Sequence, residues 1–181
     1  MPTYIRWRET GATYFFTLVT YQRRAILTGP VTRDLLRVAF DHVRAKRPFK
    51  MPACVLLPDH LHCIWALPPD DDDFPVRWRQ IKEAFTRAYL AAGGREARPT
   101  VNQRQQGRRG VWQPRYWEHR IRDEREYVQY RDYIHMNPVK HGHTRTPEEW
   151  PWSTVHAHLQ RGELAPDWWN TVRLVLPDIG E

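Results

Sequence analysis

Two histidines one residue apart, His60 and His62, are the residues of this chain whose types and spacing most directly suggest chemistry. They stand in an apolar run from Leu57 to Trp65 that opens with the turn-forming pair Pro58-Asp59, a pattern typical of a buried strand. Because strand side chains alternate between faces, both imidazoles project to the same side and could share one metal ion. Histidines on such a strand can equally well hydrogen-bond to their neighbours, so the pair alone leaves both interpretations open.

Tyr133 and Asn137 form the second part of the predicted site. Asp123 and Glu126 have the spacing of a helix capping box, and Pro138 is expected to end the helix after about 14 residues. Residues four apart lie side by side on a helix, so the tyrosine phenol and the asparagine amide oxygen share one face. They would act as a nucleophile and a third metal ligand, although amphipathic helices also bury tyrosines for packing alone.

These four side chains together could cleave a phosphodiester. Cleavage requires a nucleophile in line with the leaving oxygen and positive charge near the non-bridging oxygens. Tyr133 would attack, and a metal ion held by His60, His62 and Asn137 would supply the charge. Two imidazole nitrogens and one amide oxygen suit Mn²⁺, Mg²⁺ is favoured by abundance, and Zn²⁺ also fits. We therefore expect Mg²⁺ or Mn²⁺ as the cofactor.

Four sequence blocks in a fixed order point to a known family. They are Leu57–His62, Trp112–His119, Tyr133–Gly142 and Trp150–Thr154. Together they resemble the REP-associated tyrosine transposases, a branch of the single-tyrosine HUH (histidine, hydrophobic, histidine) transposases. The resemblance covers about residues 1–160 and implies a single HUH transposase domain that cleaves single-stranded DNA through a 5′-phosphotyrosine intermediate. It also implies a target: repetitive extragenic palindromes, which are hairpins with a short unpaired foot.

The elements that must position these residues alternate along the chain. Strands are predicted near 13–20, 53–57, 57–65 and 116–121, and helices over 31–46 and from Pro75 to Gly93-Gly94, before the tyrosine helix. The order β-α-β-β-α-β is that of an α+β, ferredoxin-like (split βαβ) antiparallel sheet with helices on one face. The family resemblance implies the same architecture.

Charge and aromatic content favour a nucleic-acid partner. The chain of 181 residues carries a net charge of +7 and contains nine Trp, eight Tyr and six Phe. A basic surface attracts polyanions and aromatic rings stack on unpaired bases, although such a surface can also serve solubility and most rings must be core. Candidate contacts to single-stranded or hairpin DNA mix basic and aromatic side chains: Tyr4, Arg6, Trp7, Arg8, Arg108, Arg109 and Arg115.

Three further segments have less direct interpretations. Residues 93–110, rich in Gly, Arg and Gln, are expected to be a flexible insertion, either an inert linker or a loop that follows DNA phosphates. Residues 161–181 form a tail packed on the domain or trailing from it. The run Asp70–Asp73 is interpreted as a solvated cap of the following helix. The later histidines are assigned to packing or solvent and given no catalytic role: His141, His143, His156 and His158.

Composition also bounds the location. Cys54 and Cys63 are expected to be buried free thiols in a reducing compartment. No apolar stretch approaches the length of a membrane span, and the N-terminus has no signal-peptide core. We expect a cytoplasmic, nucleoid-associated protein without a membrane partner, and the sequence does not decide between monomer and dimer.

Two other functions remain open at this point. A metal-dependent nuclease could use water, with Tyr133 only structural, and would form no covalent adduct with DNA. A non-catalytic protein could bind single-stranded or hairpin DNA by sequence or shape and ignore both the metal and Tyr133.

Overall fold

A four-stranded antiparallel sheet forms the centre of the molecule. The computed structural model describes residues 8–97 and 109–172. Its strands are β1 (Thr13–Val19), β2 (Lys50–Leu56), β3 (His60–Ala66) and β4 (Trp117–Ile121). They are ordered β2-β3-β1-β4, and every neighbouring pair is antiparallel. The predicted α+β, ferredoxin-like sheet is therefore confirmed, and β3, which carries the two histidines, is one of its central strands.

Helices cover both faces of this sheet, whereas helices on one face were expected, because the tyrosine helix adds a second layer to the split βαβ core. Those among the described residues are α1 (Pro30–Lys46), α2 (Phe74–Ala91), α3 (Glu124–Lys140) and the short α4 (Val155–Gln160). The crossover helices α1 and α2 pack together on one face, as the split βαβ order predicts. Helix α3, which follows β4, packs on the opposite face. None of the described helices is long and apolar enough to cross a membrane.

The alternation of side chains along β1 and β3 divides the interior into two cores. Tyr14, Phe16 and Leu18 belong to the core beneath α1 and α2, whereas Phe15 belongs to the core beneath α3. A sheet covered on both faces needs apolar residues at successive positions, which explains the unbroken apolar runs in the sequence. On β3 the same alternation sends His62 to the α3 side, where its ring stacks on Phe15.

Helix α3 continues past Pro138, so the prediction that this proline ends the helix is wrong. A proline removes one N–H donor, but Pro138 lies in the last turn, where only one helical hydrogen bond is lost. The backbone beyond it stays helical, and the His141 N–H donates to the carbonyl of Asn137 (3.0 Å). Consequently α3 extends to Lys140, seven residues after Tyr133 and on the same side of the helix.

The acidic run Asp70–Asp73 is not simply a solvated cap. The Asp71 carboxylate accepts two hydrogen bonds, of 2.7 and 2.6 Å, from the fully buried guanidinium of Arg77. Arg77 also donates to the carbonyls of Arg47 and Pro48. The hydrogen bond from Arg77 holds the pKa of Asp71 below its usual range. Through these two carbonyls Arg77 joins the start of α2 to the end of α1.

The two cysteines are free, as expected. Cys54 and Cys63 lie opposite each other on β2 and β3. Burial raises the pKa of both thiols, that of Cys54 to about 12. Neither is therefore a reactive thiolate at neutral pH.

Candidate active site

The imidazoles of His60 and His62 lie beside each other at the start of β3. Their ring centroids are 4.9 Å apart, and the two residues are only 1% and 0% exposed. The period-two pleat places both on the face covered by α3. The predicted shared face of the histidine pair is therefore present in the structure.

Each of these imidazoles has a partner on its Nδ1 atom. His60 Nδ1 lies 2.6 Å from a carboxylate oxygen of Asp59, and His62 Nδ1 lies 2.9 Å from the hydroxyl of Thr17 on β1. In metal sites such partners fix the ring orientation and leave Nε2 to act as the ligand. The buried Nε2 of His60 makes no hydrogen bond with the part of the chain that the structure describes. This donor set fits a metal ion.

Asp59 is itself held in its ionised form. Partial burial acts to raise the pKa of Asp59, but hydrogen bonds from His60 and Arg23 outweigh it, so the pKa lies below its ordinary value. Arg23 Nη1 is 3.1 Å from the carboxylate. Gln22 and Arg23 both have positive φ, 56° and 50°, a conformation that non-glycine residues adopt only at a cost. This tight turn brings the arginine to Asp59.

Tyr133 faces this histidine pair from α3. Its ring centroid lies 5.3 Å from that of His62, and the residue is 3% exposed. The Lys140 ammonium donates a hydrogen bond of 3.0 Å to the Tyr133 hydroxyl and lies 4.9 Å from the ring centroid. Asn137 is fully buried one turn after Tyr133. The tyrosine hydroxyl is thus next to a positive charge in an otherwise buried setting.

Sequence reasoning missed two residues near the site, Lys140 and His141. His141, which is expected from the sequence to serve packing or solvent, has its ring 5.1 Å from the ring of His60. Both follow Pro138, where the helix was expected to stop. The signal that could have found Lys140 is its spacing of seven residues from Tyr133, two turns along one helix face.

Asn137 is the third ligand expected from the sequence, and it would supply an amide oxygen. Among the described residues no group of three or more His, Cys, Asp or Glu side chains could hold a metal ion. The metal role of Asn137 with His60 and His62 therefore stays a prediction.

The predicted DNA contacts are scattered. Tyr4, Arg6, Trp7 and Arg108 lie outside the described residues. Arg8 is 3.7 Å from Asp72, at the end of the sheet opposite to His60. The length of β3 places these two ends about 20 Å apart. Arg109 forms an ion pair with Glu96, and Arg115 is exposed. None of these roles is tested by the fold.

The histidine strand and the tyrosine helix meet as expected for a single-tyrosine HUH transposase. No protein family model matches the chain. A REP-associated tyrosine transposase of Escherichia coli (strain K12) is 42% identical over 168 residues, which cover 93% of this chain and 91% of that protein. A relative from Haemophilus influenzae is 36% identical over 172 residues, 94% of each chain.

A solved structure agrees with these relatives. The structure of a REP-associated tyrosine transposase bound to a REP hairpin superposes with a TM-score of 0.80 at 38% identity, and the match covers 100% of this chain and 98% of that one. This chain therefore belongs to the family of REP-associated tyrosine transposases.

Proposed function

We propose that this protein cleaves and rejoins single-stranded DNA beside a REP-type hairpin, with Tyr133 as the nucleophile and a 5′-phosphotyrosine intermediate. The observation that carries the proposal is the Tyr133 hydroxyl, which accepts a hydrogen bond from Lys140 while its ring lies against His62. A tyrosine buried only for packing would not need a cation at its oxygen. The hairpin partner is supported by the related transposase that was solved bound to a REP hairpin.

The chain's own residues account for the covalent step. The Tyr133 oxygen forms a bond to the phosphorus while the bond to the 3′ oxygen breaks; the phenol releases its proton, and the departing 3′ oxygen takes one up. The Lys140 ammonium stabilises the negative charge that grows on the phenol oxygen as it ionises, and again when that oxygen leaves in the reverse reaction. Because the phosphodiester energy is conserved in the tyrosyl ester, a free 3′-hydroxyl can rejoin the strand.

His60, His62 and Asn137 would hold a divalent ion, Mg²⁺ or Mn²⁺. When bound, the ion supplies Lewis-acid charge to the non-bridging oxygens of the phosphodiester. Asp59 and Thr17 occupy the Nδ1 atoms of the two imidazoles, so the Nε2 atoms would be the ligands. The amide oxygen of Asn137 would complete a mixed nitrogen and oxygen set that suits these ions.

A denaturing gel distinguishes the possible activities. The protein is incubated with a 3′-end-labelled hairpin carrying a single-stranded extension, with Mn²⁺, Mg²⁺ or EDTA. The proposal predicts a metal-dependent band in which labelled DNA migrates with the protein. Tyr130→Phe should keep this band and Tyr133→Phe should lose it, because each removes one phenol from the same helix. A free cut product without adduct would indicate hydrolysis by water, and binding without any cleavage would indicate a non-catalytic module.

A further inference from the structure

A groove of about 540 Å³ opens between α2 and the segment 109–116, away from the histidine pair. Its basic and aromatic lining residues are Arg79, Lys82, Arg87, Arg109, Trp112 and Tyr116. Its volume is in the range of sites that hold a ligand of nucleotide size. Trp112 and Tyr116 are contributed by the segment and belong to the core beneath α1 and α2.

Two exposed arginines of α2 are available for a ligand. Arg79 and Arg87 are exposed, and neither forms a hydrogen bond or ion pair with any residue of the described ranges. They are eight residues apart, about 12 Å along one helix. Lys82, between them, donates to the Gln113 carbonyl (2.7 Å) and holds the segment against α2. Glu83 is an acidic lining residue and Arg109 is paired with Glu96, so two carboxylates stand against the four basic groups and the groove keeps a net positive charge.

The groove adjoins the end of the sheet where His60 begins β3. Gln113 donates its N–H to the Val19 carbonyl (2.9 Å), and Val19 pairs with His60 on the other side of β1. Two strand spacings, about 10 Å, therefore separate the backbone of Gln113 from that of His60. The groove and the histidine pair lie on opposite faces of the sheet but at the same end of it.

We propose that this groove binds the single-stranded DNA that flanks the cleaved phosphodiester. This rests on the proposed function, since it takes the same DNA as substrate. Arg79 and Arg87 contact its phosphates, and the half-buried ring of Tyr116 offers a surface for one base. One DNA strand that passes round this end of the sheet can reach both the groove and the histidine pair.

A single strand fits these features better than a duplex stem does. Basic side chains along a groove with aromatic rings in its lining are the usual means of binding unpaired nucleic acid, because an unpaired base presents its face for stacking. A stem keeps its bases stacked inside and presents only phosphates and groove edges. A stem could make the same phosphate contacts on a flat basic surface, so the concave shape and the aromatic lining would add nothing to stem binding.

Binding in EDTA tests the groove separately from cleavage. Fluorescence anisotropy compares two labelled probes, a hairpin with a single-stranded extension and the same hairpin with a blunt end, at two salt concentrations. The variant is Arg79→Gln/Arg87→Gln. The control is Arg37→Gln/Arg125→Gln, which removes the same charge from exposed positions on α1 and α3.

The groove variant should bind the extended hairpin about tenfold or more weakly and the blunt hairpin within about twofold of the wild-type affinity. Its salt dependence on the extended probe should fall by about 1.4 in the log–log slope, since each single-strand phosphate contact contributes about 0.7. The control should bind both probes like the wild-type protein.

Equal loss on both probes, or no loss on either, overturns the groove assignment. The adduct assay is independent of this result. A wild-type adduct together with unchanged binding by the variant rejects the groove and leaves the proposed function standing. Extension-specific loss without any wild-type adduct keeps the groove and rejects the chemistry.

Discussion

At the scale of single residues, the contact between Lys140 and Tyr133 is the clearest departure from a plain hydrophobic interface. An ammonium that donates to a buried phenol oxygen contributes more when that oxygen becomes negative, because a charged hydrogen bond is stronger where water is scarce. The ring of His62 packs against the ring of Tyr133. The tyrosine is therefore held in place before any DNA binds.

Lys140→Met should slow adduct formation at saturating DNA while hairpin affinity stays within a few-fold. A charged hydrogen bond of about 1.5–3 kcal/mol corresponds to a rate loss of roughly 10- to 100-fold. Lys140→Arg should recover part of the rate, because it restores the charge. Single-turnover rates and anisotropy on the same variants measure both effects. A rate loss matched by an equal loss of affinity would mean that Lys140 only binds the DNA backbone.

Metal binding should depend on the two histidines and on Asp59, which orients His60. We expect His60→Ala and His62→Ala to abolish Mn²⁺ binding and cleavage, and Asp59→Asn to weaken Mn²⁺ binding by about 10- to 100-fold through lost orientation of His60. Calorimetric titration of Mn²⁺ into the DNA-free protein measures this without reference to activity. Undiminished cleavage by wild-type protein in excess EDTA would contradict the metal site.

At the scale of elements, α3 is fixed at its first turn. The Asp123 carboxylate accepts from the Glu126 N–H (2.8 Å), which confirms one half of the predicted capping box. In the other half, Glu126 accepts from Arg122, one residue before the N-cap, rather than from the N–H of Asp123. The Glu126 carboxylate returns to the backbone N–H of Arg122 (2.8 Å) and also pairs with the Arg122 guanidinium and with His119 on β4. The side-chain hydrogen bond from Arg122 is the main reason that the pKa of Glu126 is lowered to about 2.

Glu126→Gln should therefore cost stability in a pH-dependent way. A carboxyl whose pKa is lower in the folded state stabilises that state above its ordinary value of 4.5, and the contribution disappears as pH falls towards about 2. The difference in unfolding free energy between wild type and variant should be constant from pH 7 to about 5 and shrink below that. Urea unfolding at several pH values measures it, with the exposed Glu124→Gln as control. A difference that does not change with pH would contradict the assignment.

The elements also show which parts of the site could be predicted from sequence. The pair His60 and His62 was found because strand alternation is a local property, and Tyr133 with Asn137 because helix spacing is local too. Lys140 was missed because a general rule about proline was applied to a helix that tolerates Pro138 in its last turn. The ion pair of Asp71 and the contact of His141 depend on distant residues, which no local pattern contains.

At the scale of the whole molecule, positive charge favours a polyanionic partner but does not indicate which surface would meet it. The net charge of +7 belongs to the entire chain, whereas the groove beside α2 is formed by tertiary contacts, including the hydrogen bond from Lys82 to the segment 109–116. Of the predicted DNA contacts that the structure describes, which are Arg8, Arg109 and Arg115, Arg109 lines this groove. Tertiary structure was needed to add Arg79 and Arg87 to it.

Affinity for any DNA should fall as salt rises, because each neutralised phosphate releases condensed counterions. A hairpin with a single-stranded extension should outcompete a blunt duplex of equal length at both low and high salt, since stacking on unpaired bases is less sensitive to salt. Competition titrations at two salt concentrations measure both terms. Equal affinity for the two probes at both salt concentrations would indicate that the aromatic residues serve only in the core. The protein would then bind any DNA through its basic charge.

The most direct test of the central claim is to identify the residue that carries DNA after the reaction. Trypsin cleaves after Arg131 and Lys140, so the peptide 132–140 contains Tyr133 as its single tyrosine, while Tyr127 and Tyr130 fall together in the peptide 126–131. The adduct formed with Mn²⁺ is denatured, digested with trypsin and nuclease, and analysed by mass spectrometry. The account predicts a 5′-nucleotide on the peptide 132–140. A nucleotide on the peptide 126–131, or cleaved DNA with no modified peptide, would contradict it.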